Sequence, residues 1–177
     1  MVKICLIDDD QNILASLSLA LKSEKFDVKT YSDGISGLEA LEKDNFDIAI
    51  LDIKMPRLDG LEVLQKLRNS SDIPVIFLTS KDDEIDQLLG LKMGADDYIT
   101  KPFSQKLLIE RVKVILKRTA ISNNKNIGKN DSLIERGNLL LNMDRHECHW
   151  KNERIKLTVT EFLLLESLVN RPGYVKN

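Results

Sequence analysis

The chain has 177 residues and a 42% hydrophobic fraction, so we expect one domain with a packed core, or one domain plus a small second one. No run approaches 18 apolar residues, and the N-terminus is too short for a signal peptide, so we expect a cytoplasmic protein without a membrane span. Residues 1–118 contain 17 basic and 21 acidic side chains, whereas residues 119–177 contain 9 and 7. A mildly basic second part is compatible with a nucleic-acid partner.

Apolar runs and helical patterns alternate five times along residues 1–118. The predicted strands lie at 2–7, 26–31, 48–51, 74–78 and 98–99. The strand at 26–31 alternates apolar and polar residues, whereas the other strands are nearly continuous in apolar residues. Each strand is followed by apolar residues at helical spacing. This alternation is typical of a parallel sheet covered by helices on both faces. We therefore predict an α/β fold with a doubly wound, five-stranded parallel sheet.

From Thr119 the pattern changes. Residues 119–132 are polar, rich in asparagine and without periodicity, which predicts a flexible linker. Residues 133–177 contain short strands at 139–141, 146–150 and 154–157, separated by turns, which predicts an antiparallel β-meander. Thr158 and Glu161 form a capping-box pattern, so we expect one helix to begin there and to end at Arg171-Pro172-Gly173.

Polar side chains stand where the predicted strands end. Asp8 and Asp9 follow the first strand, Asp52 the third, Thr79 the fourth and Lys101 the fifth. The carboxyl ends of parallel strands meet at one edge, where such sheets hold their ligands. Singly, each residue has a structural alternative as a helix cap or a solvated loop residue. Together, clustered carboxylates that suit Mg²⁺, a hydroxyl and an ammonium predict a phosphoryl-binding site with Asp52 as nucleophile.

These residues belong to motifs that resemble a known family. The motifs are Ile7-Asp8-Asp9, Leu51-Asp52-Ile53-Lys54-Met55-Pro56, Leu78-Thr79-Ser80 and Lys101-Pro102-Phe103. In this order and spacing they resemble the flavodoxin-like receiver domain of bacterial response regulators, over residues 1–118. Residues 94–103 further resemble the OmpR/PhoB subfamily, with ChvI-type regulators as a candidate nearer match. Residues 133–175 resemble the start of that subfamily's winged-helix DNA-binding domain.

The resemblance implies a response regulator of a two-component phosphorelay. Asp52 would accept a phosphoryl group from a sensor histidine kinase, and the positioned charges would assist that transfer. The implied Mg²⁺ ligands are Asp8, Asp9, Asp52 and the backbone carbonyl of Lys54. The implied phosphoryl-binding and switch residues are Thr79, Tyr98 and Lys101. Of these, Tyr98 would turn inward as Thr79 moves.

The resemblance also implies a symmetric homodimer, formed by the fourth helix, fifth strand and fifth helix of the receiver. The pairs that match the subfamily's cross-dimer ion pairs are Asp97 with Arg111 and Asp96 with Arg118. Gln87 and Leu107 occupy the positions of a third pair, which is therefore missing and leaves the strength of the dimer open. Ordinary surface charges are the alternative, because exposed ion pairs contribute little each.

The resemblance to the DNA-binding domain is incomplete. Neither a recognition helix nor a wing follows before Asn177, so we expect a fragment or a truncated product that does not itself bind specific DNA. The full-length form would regulate transcription by binding DNA. The alternative is a receiver that accepts phosphate and dimerises as an interaction module only. An aspartyl-phosphate hydrolase would carry a second Asp where Lys54 stands, so we do not expect an enzyme.

Overall fold

The computed structural model describes residues 1–80, 94–123, 132–143 and 146–170. The chain forms two compact units, Met1–Val112 and Lys113–Asn177. Within the described residues, no helix combines the length and the apolar character that a membrane crossing would require.

The first unit contains a five-stranded parallel sheet in the order β2-β1-β3-β4-β5. Its strands are β1 (Lys3–Ile7), β2 (Asp27–Tyr31), β3 (Ile48–Asp52), β4 (Val75–Ser80) and β5 (Asp97–Lys101). The helices that connect or follow them are α1 (Gln11–Ser23), α2 (Gly34–Lys43), α3 (Gly60–Leu67) and α4 (Gln105–Asn123). The predicted doubly wound, five-stranded fold is confirmed. The helix predicted between β4 and β5 lies outside the described residues.

The central strands are buried because their side chains are apolar on both faces. Every residue of β3 is buried, and so are the first five residues of β4. Three connecting helices begin at an aspartate that accepts hydrogen bonds from the first turn, namely Asp10, Asp33 and Asp59. Such caps satisfy backbone donors that a helix leaves unpaired. They fix where each helix leaves the carboxyl edge of the sheet.

The second unit contains an antiparallel sheet in the order β6-β7-β8-β9, with one helix after it. Its elements are β6 (Leu133–Arg136), β7 (Leu139–Asn142), β8 (Glu147–Trp150), β9 (Glu153–Ile155) and α5 (Val159–Val169). The meander is confirmed, and β6 is a further strand that its short, half-charged sequence did not reveal. The capping box of Thr158 and Glu161 is present. The predicted helix end at residues 171–173 lies outside the described residues.

The helix α4 differs from its prediction. It continues to Asn123, so residues 119–123, which we expected in the flexible linker, are helical. The Thr119 hydroxyl donates to the carbonyl of Ile115 at 3.1 Å, and Ala120 is a strong helix former, so the helix continues past the point where the apolar pattern ends. The rest of the predicted linker, residues 124–131, lies outside the described residues. The domain boundary at residue 118 stays a prediction.

Candidate functional site

Four strands of the parallel sheet deliver polar side chains to one edge. Asp52 is the last residue of β3, and it pairs in register with Leu78, one position before Thr79. On the other side of β4, Thr79 is in register with Thr100, and Ser80 with Lys101. Because parallel strands end at the same edge, this register places the carboxylate, the hydroxyl and the ammonium around one point.

Three carboxylates come together at this edge. Ligand oxygens of Asp8, Asp9 and Asp52 all lie within 4.8 Å of one another. Asp8 is completely buried and Asp52 is 6% exposed, whereas Asp9 is open to solvent. Asp8 is held in place by its own loop, because Oδ1 accepts the backbone N–H of Asp10 at 2.9 Å. The structure therefore brings together the acidic residues that the sequence analysis proposed as one cluster.

Lys101 bridges two of these carboxylates. Its Nζ lies 2.8 Å from Asp8 Oδ2 and 2.8 Å from Asp52 Oδ1. Burial lowers the pKa of Lys101, but the hydrogen bonds with Asp52 and Asp8 outweigh burial and raise this pKa above its ordinary value. Lys101 is therefore a permanent cation. One ammonium among three carboxylates still leaves an excess of negative charge.

The pKa of Asp52 is raised mainly because its carboxylate is buried. The pKa of Asp52 is raised to about 6: burial raises it most, the hydrogen bond and charge of Lys101 lower it, and the charges of Asp8 and Asp9 raise it by a smaller amount. An additional positive charge nearby would favour the ionised form of this buried carboxylate. The donors are all oxygens, and one of the three carboxylates is open to water, which is the donor chemistry that suits Mg²⁺. The residues present therefore fit a divalent cation.

Gly60 allows the chain after Asp52 to fold back against its strand. A Cβ at this position would lie 2.2 Å from the backbone oxygen of Asp52, so any larger residue would push the turn away. The Gly60 N–H donates to the carbonyl of Ile53 at 2.9 Å, and Asp59 caps α3 through a capping box with Glu62. In the sequence, Asp59-Gly60 predicts a turn, but it does not predict that Gly60 packs against the backbone of Asp52.

The remaining predicted site residues lie near this edge. Thr79 is buried, and its hydroxyl donates to the carbonyl of Ser80 at 3.3 Å. Tyr98 is half-buried and packs against the apolar core. Lys54 is exposed, two residues after Asp52. The roles of these residues in phosphoryl binding, switching and metal ligation stay predictions.

Two of the acidic residues expected at a dimer interface have partners within the chain. Asp97 is completely buried and forms an ion pair with Arg111. Asp96 accepts the backbone N–H of Val75 at 3.0 Å, and its carboxylate lies 3.6 Å from the guanidinium of Arg68. The structure thus joins Asp97 and Arg111 within one molecule and gives Asp96 a partner that the sequence analysis missed.

The other residues of the expected dimer interface are placed differently. Arg118 donates hydrogen bonds to the carbonyls of His146 and Leu157 in the second unit. Leu107 is 45% exposed on α4, and Gln87 lies outside the described residues. Pairing of Asp96 and Arg118 across a dimer therefore stays a prediction.

Comparison with known proteins identifies the first unit. Residues 4–113 match the family model described as the response regulator receiver domain. A solved structure of DrrB, an OmpR/PhoB homologue from Thermotoga maritima, has a TM-score of 0.63 and is 32% identical, covering 99% of this chain and 76% of that chain. The likeness extends over both units, so it is not confined to the receiver fold.

Curated relatives give the same result over nearly the whole chain. The alkaline phosphatase synthesis transcriptional regulatory protein PhoP of Bacillus subtilis is 40% identical over 177 residues, covering 98% of this chain and 74% of that protein. The transcriptional regulatory protein CpxR of Escherichia coli is 39% identical over 176 residues, with 99% and 75% covered. The chain therefore belongs to the response regulator receiver family, among the two-component transcriptional regulators of the OmpR/PhoB type.

Proposed function

We propose that Asp52 is the phosphoacceptor of this response regulator and that a sensor histidine kinase is its phosphoryl donor. The observation that carries the proposal is the cluster of Asp8, Asp9 and Asp52, two of whose carboxylates lie 2.8 Å from the ammonium of Lys101. Of the three carboxylates, Asp52 is the one that belongs to a strand, since it is the last residue of the fully buried β3, whereas Asp8 and Asp9 follow the end of β1.

Phosphoryl transfer requires mainly that the protein positions the reacting groups and neutralises their charge. A carboxylate oxygen of Asp52 attacks phosphorus, and the bond from phosphorus to the imidazole nitrogen of a phosphohistidine breaks with its electron pair going to nitrogen. Because the other ring nitrogen of the phosphohistidine carries a proton, the ring leaves as neutral imidazole. The attacking carboxylate is ionised at neutral pH, because its pKa of about 6 lies below 7. The ammonium of Lys101 is placed to contact the phosphoryl oxygens, which carry negative charge throughout such a transfer.

We propose Asp8, Asp9, Asp52 and the backbone carbonyl of Lys54 as the ligands of Mg²⁺. When bound, Mg²⁺ supplies positive charge that neutralises the phosphoryl oxygens. Asp8 is already oriented for this role by the N–H of Asp10. Asp9 is exposed to solvent, so its carboxylate can exchange hydrating water for a cation without any rearrangement of the core.

The switch and the output follow from the same site. We propose that the hydroxyl of Thr79 turns from the carbonyl of Ser80 towards the phosphoryl group, and that Tyr98 moves inward with it. This change favours a homodimer through the face that carries Asp96, Asp97, Arg111 and Arg118. We further propose that the regulator acts by binding DNA, because its relatives are named transcriptional regulators. The acyl phosphate thus biases a two-state surface.

The phosphoacceptor is tested with acetyl phosphate and Mg²⁺, measured by intact mass. The wild-type chain is expected to gain the mass of one phosphoryl group, and Asp52→Asn to gain none, because the amide is not a nucleophile. Asp47→Asn is the matched control, since Asp47 lies just before β3 at the opposite end of the same strand. Equal labelling of the wild-type and Asp52→Asn chains would refute the proposal. Sizing the same samples measures dimerisation.

A further inference from the structure

The strand that ends at Asp52 continues into a loop whose backbone is strained at Arg57. Arg57 has a φ of 73°, in the left-handed region that favours glycine. The Leu58 N–H donates to the carbonyl of Pro56 at 2.9 Å, so the turn closes over Arg57 alone, as in the strained form of a γ-turn. A bulky residue keeps such a conformation only where its surroundings hold it, and strain of this kind is concentrated at functional sites.

The side chain of Arg57 contacts the start of α2. Its Nη2 lies 3.5 Å from Oδ1 of Asp33, the N-cap of that helix. Asp33 is itself fixed, because Oδ1 accepts the N–H of Ser36 at 3.0 Å and Oδ2 accepts its hydroxyl at 2.8 Å. The hydrogen bonds from Ser36 hold the pKa of Asp33 below its ordinary value, and the charge of Arg57 lowers this pKa further. Arg57 therefore faces an ionised carboxylate that the helix holds in place.

The loop also packs directly on α2. A Cβ at Gly34 would lie 2.2 Å from the backbone oxygen of Leu58, so only glycine lets the loop approach the helix this closely. At the other end of the loop, the carbonyl of Ile53 accepts the N–H of Gly60 at 2.9 Å. Between these two fixed points lies Lys54, whose backbone carbonyl is one of the proposed Mg²⁺ ligands.

A backbone carbonyl is directed only by the chain on either side of it, because its oxygen lies in the rigid peptide plane. We propose that Asp33 and Arg57 are positioning residues for the cation site: their ion pair holds the strained turn against α2 and so keeps the Lys54 carbonyl in the position at which it binds Mg²⁺. Neither side chain touches the cation, so both act through the loop. The inference rests on the Mg²⁺ ligands of the proposed function, whereas the ion pair is a contact between two described side chains.

Electrostatic repulsion alone makes the opposite prediction for Arg57. Removing a positive charge near a cation site lowers the repulsion and tightens the binding of Mg²⁺. Removing a positioning contact weakens the binding, because the loop must then be ordered at the moment when the cation binds. For Asp33 the two effects have the same sign. The direction of the change in Arg57→Gln therefore separates positioning from charge.

The hold on the turn is tested first in the full chain without divalent cations. Arg57→Gln is expected to raise the hydrogen-exchange rates of the Leu58 and Gly60 amides, resolved by NMR, by about threefold, the scale of one exposed ion pair. Asp33→Asn is expected to do the same, because asparagine keeps the helix cap but not the charge. Lys66→Gln is the control, since Lys66 is exposed in the last turn of α3. Unchanged exchange in both Arg57→Gln and Asp33→Asn overturns the proposal.

The consequence for the cation is tested by Mg²⁺ titration of the same variants, followed by the amide chemical shifts of Asp9 and Asp52. The Kd for Mg²⁺ is expected to rise about threefold in Arg57→Gln and in Asp33→Asn, and no further in the double variant, because either substitution removes the same ion pair. An unchanged or lower Kd in Arg57→Gln, or additive effects in the double variant, overturns the positioning role. If the wild-type chain does not bind Mg²⁺, the proposed ligand set fails and the positioning role with it, whereas the exchange rates still decide whether the ion pair holds the turn.

Discussion

Replacing Lys101 by methionine is expected to lower the free energy of unfolding by about 3–5 kcal/mol at pH 7.5 without divalent cations, the cost of leaving a buried charge without its partner. The ammonium of Lys101 lies 2.8 Å from both Asp8 and Asp52, and Asp8 is completely buried. Methionine keeps much of the apolar stem, so the loss comes mainly from the charge. The same variant is expected to lose phosphoryl uptake, because a second cation no longer contacts the transferring group.

Urea unfolding of Lys101→Met beside Lys106→Met measures this effect. Lys106 is exposed at the start of α4, so its replacement is expected to change stability by less than about 0.5 kcal/mol. Adding Asp52→Asn to Lys101→Met removes one of the two uncompensated carboxylates and is expected to restore part of the loss. If Lys101→Met and Lys106→Met unfold at the same urea concentration, the bridge between Asp8 and Asp52 has no energetic role.

Replacing Asp52 by asparagine is expected to stabilise the protein at neutral pH in the absence of divalent cations. The pKa of Asp52 is raised from 3.8 to about 6, mainly by burial. A folded-state pKa above the unfolded value contributes stability that is full below about pH 4 and is lost as the pH rises through 6. At pH 7.5 the ionised carboxylate therefore costs about 3 kcal/mol, at about 1.4 kcal/mol for each unit of pKa shift. Asparagine does not ionise, so the variant avoids this cost.

The pH dependence distinguishes this explanation from a general effect of substitution. The difference between Asp52→Asn and wild type, measured by urea unfolding, is expected to shrink as the pH falls from 7.5 to 4. Adding Mg²⁺ at pH 7.5 is also expected to reduce the difference in stability between the two chains. A bound cation neutralises the Asp52 carboxylate, which only the wild-type chain has. Asp47→Asn is the control, since its exposed carboxylate lies outside the cluster. A difference that is independent of both pH and Mg²⁺ would contradict the assigned cause.

The parallel sheet and its site were predictable because both depend on local patterns. The strands of the first unit are short apolar runs, and the residues that end them are the ones that meet at the edge, as for Asp52 and Lys101. The first strand of the second unit, β6, was not predictable, because only Leu133 and Ile134 are apolar in its four residues. The end of α4 was missed for a similar reason, since residues 119–123 are helical without an apolar stripe.

The partners of the arginines were not predictable from the sequence. Arg118 contacts carbonyls 28 and 39 residues away, and backbone acceptors leave no signal in the side-chain pattern. Arg68 reaches the carbonyl of Gly94 and the carboxylate of Asp96 in the same way. The fold decides these contacts, because a guanidinium binds whichever acceptors surround its position. The family resemblance implied cross-chain pairs for Asp96, Asp97, Arg111 and Arg118, all of which have partners within the chain.

The most direct test of the account is to locate the phosphoryl group within the chain. After incubation with acetyl phosphate and Mg²⁺, borohydride reduces an aspartyl phosphate to homoserine, and peptide mass spectrometry shows which residue has changed. We predict homoserine at position 52 alone, with Asp8 and Asp9 unmodified although each has an oxygen within 4.8 Å of the acceptor. Homoserine at position 8 or 9, or at none of the three, would contradict the assignment of Asp52 as the phosphoacceptor.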